Sequence, residues 1–420
     1  MILRTRDIIE QIRQGEIPKG YIRTVSGISP TDWKRYTFGD IYTERKEPGS
    51  EELPLLMVSI HSGVSDGEVD EEELPKKVKR IEDKSQYKKA VSGDLVFNMM
   101  RAWQGAIGTV RTTGMVSPAY IVAKPNDKVY PLFMDYYTRT PQMINQINRQ
   151  SYGVTDFRKR LYWDSFATIG CTLPPIEEQR KIAAILTTQD RVIELKEKHL
   201  AEKQRQKKYL MQQLLTGKKR LPGFSGTWKK EILGKCASMC SGGTPDTKNE
   251  KYYGNDYIWI SIKDMTSAGK YICSSERGLT EAGFLNCSAR LFPKGTILFA
   301  MYASIGECSI AEVECCSSQA ILGIEPNSKL NNEFLYYLLS NSKGYFKSFG
   351  QASSQPNLNK GIVQSIVVQI PEIEEQAAIV EVLSAADREI DLLRQDIEQE
   401  KQKKKALMQL LLTGIVRVNA

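Results

Sequence analysis

PPIEEQRKIAAIL (174–186) returns as PEIEEQAAIVEVL (371–383), 197 residues downstream. At the same spacing and without a gap, YLMQQLLTG (209–217) returns as ALMQLLLTG (406–414). Agreement in register over about forty residues marks an internal duplication. In the second copy, steps of four and three connect Ile379, Leu383, Ala386, Ile390, Leu393, Ile397, Glu400, Lys404, Leu407 and Leu411, eight of the ten apolar. In the first copy they connect Ile182, Leu186, Gln189, Ile193, Lys196, Leu200, Lys203, Lys207, Leu210 and Leu214, six of the ten apolar. This is a coiled-coil period with polar interruptions. Prolines open each stretch, and Gly217 and Gly414 stand where a helix C-terminal glycine belongs. Each helix should run about 33 residues or more, roughly 50 Å at 1.5 Å per residue. Neither has a stable home for its stripe alone, so the two should pack as an antiparallel pair related by a pseudo-twofold axis. The lysines inside the seam imply that its far end splays or meets a partner.

Outward from the tails the repeat loosens but keeps its order. SPTDWKRYTFGDI (29–41) resembles SGTWKKEILGKC (225–236), setting Trp33 against Trp228 and Gly39 against Gly234. GDLVFNMM (93–100) resembles GTILFAMY (295–302), SPAYIVAKP (117–125) resembles SQAILGIEP (318–326), and LFMDYY (132–137) resembles EFLYYL (333–338). Close tails and divergent globular parts suggest one frame carrying two different readers. IIEQIRQG (8–15) resembles the end of a tail, so the repeat is circularly arranged. The implied division is an N-terminal segment 1–28, a globular domain 29–172, a helical region 173–217, a second globular domain 218–369 and a helical region 370–420. The globular parts read as mixed α/β. LPLLMVSI (53–60), DLVFNM (94–99), AYIVAK (119–124), YIWISI (257–262) and TILFAM (296–301) are β-rich, while 131–147 and 332–341 look helical.

The 420 residues exceed what one core holds, so several domains are expected. No run of about 20 apolar residues is present and the N-terminus lacks an apolar signal region, which makes the cytoplasm the default and a membrane role unexpected. Seven of the eight cysteines lie in the second half and none forms a C-x-x-C pair. They read as reduced thiols, mostly buried, and no metal site is expected. The net charge of +8 is mild, but nine basic residues against two acids lie between Lys196 and Arg220, and Lys401, Lys403, Lys404 and Lys405 form a second cluster. Each cluster also reads as a solvated helix face.

Catalytic apparatus is missing. There is no phosphate-binding G-x-x-x-x-G-K-[ST] loop, no G-x-G-x-x-G opening a helix, and no Asp/Asn-Pro-Pro-aromatic tetrapeptide of the amino-methylating enzymes. His61 and His199 sit in unrelated contexts, and the acidic run Asp70–Glu73 reads as a solvated loop. No catalytic residue and no cofactor are assigned to this chain.

Residues suited to DNA are present. MRAWQGAIG (100–108) clusters Arg101, Trp103 and Gln104, and Arg and Gln pair with guanine and adenine edges in the major groove. The related MYASIGE (301–307) offers Tyr302 and Ser304. Before the tails, TDFRKRLYW (155–163) carries Arg158, Lys159 and Arg160, and SQPNLNK (354–360) carries Gln355, Asn357, Asn359 and Lys360. Lys34, Arg35, Lys229 and Lys230 follow the paired tryptophans as phosphate contacts. The first loop also reads as a structural turn, the second as a plain polar loop, and Trp33 and Trp228 as core anchors. Two readers on rigid helices should touch two half-sites with untouched DNA between them, half-sites one turn apart being about 34–36 Å distant. Helix length would then rule the gap, and differing readers would make the target asymmetric.

The repeated P-x-I-E-E-Q helix start, the LMQ-x-LLTG helix end, the LPGFSGTW lead-in and GDLVFNMMRAWQGAIG together resemble the specificity subunit of a type I restriction–modification system, over almost the whole chain. The resemblance implies two target recognition domains and two helical regions, and a subunit that binds double-stranded DNA without catalysis of its own. It implies a prokaryotic complex with two modification subunits, which bind S-adenosylmethionine and methylate adenine N6. Restriction subunits using ATP and Mg are a further implied partner. The tails, through Ile182, Leu186, Ile193, Leu200, Leu210, Leu214, Ile379, Leu383, Ile390, Leu393, Ile397, Leu407 and Leu411, would pack together and help seat the modification subunits. Two other readings are a self-contained adenine methyltransferase, opposed by the missing tetrapeptide, and a protein-binding coiled-coil scaffold, opposed by the paired basic and amide-rich loops.

Overall fold

The computed structural model describes residues 5–24, 27–60, 63–65, 86–153, 158–351 and 358–418. The chain forms two units: Met1–Glu197 with Asp396–Ala420, and Lys198–Gln395. The C-terminal stretch therefore completes the first unit, as a circular repeat requires. Two long helices, Ile176–Leu214 and Ile373–Leu412, contribute to both units. Their 39 and 40 residues agree with the expected 33 or more.

The helix starts repeat atom by atom. In the first unit the Gln179 amide donates to the carbonyls of Lys128 and Pro174 and accepts from the Tyr130 N–H at 2.8 Å. In the second, Gln376 donates to Lys329 and Pro371 and accepts from Asn331 at 2.8 Å. Each glutamine is buried, so leaving one of these groups unpaired would cost about 1–3 kcal/mol. At the ends, Gly217 and Gly414 take φ of 68° and 73°, the left-handed conformation that closes a helix.

The seam positions read from the sequence are buried or half-buried. The lysines among them do not splay the pair. In the first unit Lys196 meets Asp396 and Glu400, and Lys404 meets Asp190. In the second, Lys203 meets Glu389 and Lys207 meets Asp387. Acids on the facing helix, Glu400 within the seam and Asp190, Asp387, Glu389 and Asp396 one step outside it, absorb the charge that the heptad alone left unexplained. These partner numbers fall on one segment as they rise on the other, so within each unit the helix segments are antiparallel.

The first unit has a four-stranded antiparallel sheet in the order Tyr42–Glu44, Tyr120–Pro125, Leu95–Asn98, Ile107–Thr109. The second has Ala237–Ser241, Ile321–Pro326, Ile297–Ala300 and Cys308–Ala311 in the same order, with Tyr271–Ile272 added parallel at the edge. Side chains alternate across each sheet. Leu95, Phe97, Ile121 and Ala123 face the core that holds Ile182, Leu186, Leu411 and Leu412, while Val96 and Val122 face a second cluster with Leu56 and Val58. In the second unit Ile297, Phe299, Leu322 and Ile324 face the core of Leu214, Leu215, Ile379 and Leu383, and Leu298, Ala300 and Ile321 face away. Both faces are covered, which explains β-rich runs that lack a polar alternation. One expected helix divides in two, Pro131–Tyr137 and Pro141–Gln150, because Pro141 cannot continue a helix and Thr140 caps the new one.

Trp33 is buried, and Trp228 packs partly buried on the second core, donating its indole N–H to Glu375 at 3.2 Å. All eight cysteines are free and five are buried. Burial pushes the Cys171, Cys315 and Cys316 thiols up to about 12.

Candidate nucleic-acid interface

One backbone bond recurs in the two units and assembles the candidate loops. In the first, the Leu161 N–H donates to the Met99 carbonyl at 2.8 Å; in the second, Leu358 donates to Met301 at 3.1 Å. Met99 and Met301 in turn donate to Ala119 and Ala320. Leu161 and Leu358 are buried pins, so the polar loops beside them are held at the end of each sheet. The bonds set Met99, not Met100, against Met301. Tyr302 therefore stands in the place of Met100, and the loop of the second unit is one residue shorter.

In the first unit Ala102–Gln104 forms a 3-10 turn closed by Gly105 at φ 103°. Ala102 is buried beneath it, and the Trp103 indole donates to the Met100 carbonyl at 3.0 Å. Trp103 thus braces the turn, while Arg101 and Gln104 are exposed with no side-chain partner among the described residues. Next to them Tyr152 and Arg160 exchange two backbone bonds. Arg158 and Arg160 are exposed, and Lys159 reaches back to Asn148 at 3.4 Å. The sequence reading missed Tyr152 and Tyr162, an exposed ring pair 5.4 Å apart beside these arginines. Only the hairpin bond from Tyr152 to Arg160 places them there, which composition does not reveal.

In the second unit Tyr302 is half-buried against the core and Ser304 lies in a turn whose Ala303 takes φ 54°. A left-handed alanine costs about 1 kcal/mol or more, and such strain gathers at functional loops. Asn359 has a structural role as well: its side chain accepts from the Ile362 N–H at 2.9 Å and caps the short helix Lys360–Gln364. Lys360 is exposed. Gln355 and Asn357 lie outside the described residues, as do His61 and Asp70–Glu73. Sequence reading also passed over Thr244 and Gln319. The Thr244 hydroxyl accepts from the Gln319 N–H at 3.2 Å, next to Ala320, and so adds a third loop to the same edge.

Lys34, Arg35, Lys229 and Lys230 are not part of these edges. They sit on separate ladders, Lys34–Thr37 with Gly170–Leu173 and Lys229–Ile232 with Val367–Ile370, that lead into the long helices. Arg35 bonds the Arg23 carbonyl, and Lys229 pairs with Glu372 at 2.7 Å, so part of this charge serves the fold. Arg205, Lys208, Lys218, Lys219 and Lys405 are exposed.

Each globular part is locked to the long helices by a tyrosine. Tyr136 donates to Asp190 at 2.7 Å and Tyr337 to Asp387 at 2.6 Å. Burial first, and then the carboxylate acceptor, push both phenols well above their ordinary range. The hydroxyls therefore stay protonated donors. In the second unit the lock extends to Lys270, which reaches Glu333 at 2.7 Å and Tyr337 at 2.8 Å.

Among the described residues no group of three or more His, Cys, Asp or Glu side chains could hold a metal ion. No described helix is long and apolar enough to cross a membrane.

The comparisons with known proteins agree with this layout. A family profile described as type I restriction modification DNA specificity domain matches residues 76–203 and 226–402, together more than half of the chain. The type I restriction enzyme MjaVIII specificity subunit of Methanocaldococcus jannaschii is 25% identical over 93% of this chain and 94% of its own length. The MjaIX specificity subunit of the same organism is 33% identical over 44% of this chain, and that alignment takes in only 42% of the relative. The HsdS subunit from Thermoanaerobacter tengcongensis shares the fold at TM-score 0.52 and 21% identity, covering 92% of this chain and 98% of that one. The type I S subunit from M. genitalium shares it at TM-score 0.56 and 12% identity, covering 90% and 96%. With two matched segments falling on two units that repeat one another's bonds, the chain belongs to the type I restriction modification DNA specificity domain family and carries two copies of that domain.

Proposed function

We propose that the chain is the DNA-reading subunit of a type I restriction–modification complex and that its two units read the two halves of an asymmetric, bipartite target. The observation that carries this reading is the repeated backbone bond, Leu161 to Met99 and Leu358 to Met301, which presents Arg101 and Gln104 in one unit and Tyr302 and Ser304 in the other. The same frame with different polar groups gives the same approach to DNA and different base preferences. Arg158 and Arg160 supply charge for phosphates, so affinity should fall steeply with salt.

In this reading the chain works in the cytoplasm and performs no chemistry. Two modification subunits dock on it, bring S-adenosylmethionine and methylate adenine N6. Restriction subunits bring ATP and Mg. The absence of the Asp/Asn-Pro-Pro-aromatic tetrapeptide favours this over a self-contained methyltransferase, and the polar loop edges favour it over a scaffold that binds protein alone. The test is N6-methyladenine mapping in cells carrying the cognate modification subunit, with and without this chain. A two-part asymmetric motif that depends on the chain supports the reading. No new motif in cells where the complex forms would move the assignment to the scaffold.

A further inference from the structure

In the second unit, the segment between Ser241 and Ile297 builds a platform that the sequence did not announce. Gly278–Leu279 pairs antiparallel with Tyr253–Gly254, with Gly254 opposite Gly278. The approach is close: a Cβ on Gly278 would stand 2.5 Å from the Gly254 carbonyl oxygen and 2.6 Å from that of Tyr257. This tight ladder brings the preceding residue, Arg277, over the Tyr253 ring, with the guanidinium carbon 3.4 Å from the ring centroid. The other cation–aromatic contacts of the described residues lie at 4.4 Å or more.

The ring beneath is itself fixed. Its hydroxyl donates to the Pro245 carbonyl at 3.2 Å, and its edge meets Trp259 at 6.0 Å. The Trp259 indole donates to the Gly243 carbonyl at 2.9 Å. Gly243 to Pro245 is the loop whose Thr244 joins Gln319 at the reading edge. A chain of bonds thus runs from Arg277 to the edge that carries Tyr302 and Ser304. Arg277 is exposed and has no carboxylate partner among the described residues. Stacking spends the face of the guanidinium and leaves its rim of N–H donors free. A planar fork held against a ring, with donors outward, matches the two acceptors O6 and N7 of guanine and loses little entropy on engaging them.

We propose that Arg277 is a specificity-determining residue of the second reader and pairs with one guanine in its half of the target. The proposal rests on the two-reader reading above. Its test is methylation mapping of the assembled complex carrying Arg277→Lys or Arg277→Ala, beside the unaltered chain. Arg277→Lys keeps the charge and loses the fork, so it answers even where Arg277→Ala fails to fold. The expected result is that one G·C position in one half of the motif becomes degenerate, with discrimination there falling on the order of tenfold to a hundredfold, while the other half is unchanged. A motif unchanged in sequence, whether methylated fully or uniformly less, would overturn the proposal and leave Arg277 a phosphate or packing contact. Absence of any chain-dependent motif with the unaltered protein would instead overturn the two-reader reading, and this proposal with it.

Discussion

Arg417 closes a two-point ion pair on Glu178, 239 positions away in sequence, with Nε 2.8 Å from one carboxylate oxygen and Nη2 2.9 Å from the other. Glu178 is buried at the start of the first long helix, and the same guanidinium also meets Asp32. In the second unit Arg220 holds Glu375 in the same way at 2.5 and 2.6 Å. The residue that follows one long helix thus secures the start of the other. Arg417→Ala would leave Glu178 buried and unpaired, a loss of about 2–4 kcal/mol, toward the low end of the buried-pair range because the arginine is partly solvated. Hydrogen exchange should show the loosening in 27–37 and 173–182 and not in the second unit. Arg220→Ala should do the reverse.

The tyrosine locks should differ in strength. Tyr136→Phe removes one bond to Asp190, which keeps Lys404, and should cost about 1–2 kcal/mol in urea denaturation. Tyr337→Phe also strips a partner from Lys270 and should cost more. Equal losses would show that the Lys270 branch adds nothing.

The seam should respond to acid through Glu400. Hydrogen bonds from Gln189 and Lys196 hold its carboxyl at about 2, against an ordinary 4.5. Because the folded value is depressed, the stabilisation is complete above about pH 4.5 and disappears as pH falls through about 2. Amide exchange around Gln189 and Lys196 should quicken across that window, and Glu400→Gln should flatten the dependence.

Alkylation should sort the cysteines. Cys273 is exposed, whereas Cys171, Cys315 and Cys316, at about 12, hold roughly one thiolate in ten thousand at pH 8. Iodoacetamide on the native protein should modify Cys273 first, and Cys273→Ser should abolish the fast phase. Rapid labelling of Cys171 would contradict the packing described for the first unit.

What the sequence disclosed follows from what repeats. The helices were legible because Ile182, Leu186, Ile379 and Leu383 recur at one period, and the circular arrangement because LLTG closes both tails. The pairing of the seam lysines was not legible because the acids Asp190, Asp387, Glu389 and Asp396 lie off the heptad stripe. Arg101 and Gln104 were proposed as base contacts by residue type. Their proximity to Arg158 and Arg160 was not, since a single bond from Leu161 to Met99 makes it. Thr244 and Arg277 left no signal, because their segment has no counterpart pattern in the first repeat, and Gln319 stands opposite Pro118 in an otherwise matched stretch. The cap made by Asn359 was not legible because a helix cap and a base contact draw on the same amide chemistry.

The most direct measurement is a reader exchange. Residues 29–170 would be replaced by the matching segment of a family member of different specificity, and the genome mapped for N6-methyladenine in the presence of the modification subunit. The expected result is a motif with one half changed and the other half intact. A motif unchanged in both halves, or changed in both, in a complex that still assembles would contradict the assignment of one half-site to each unit.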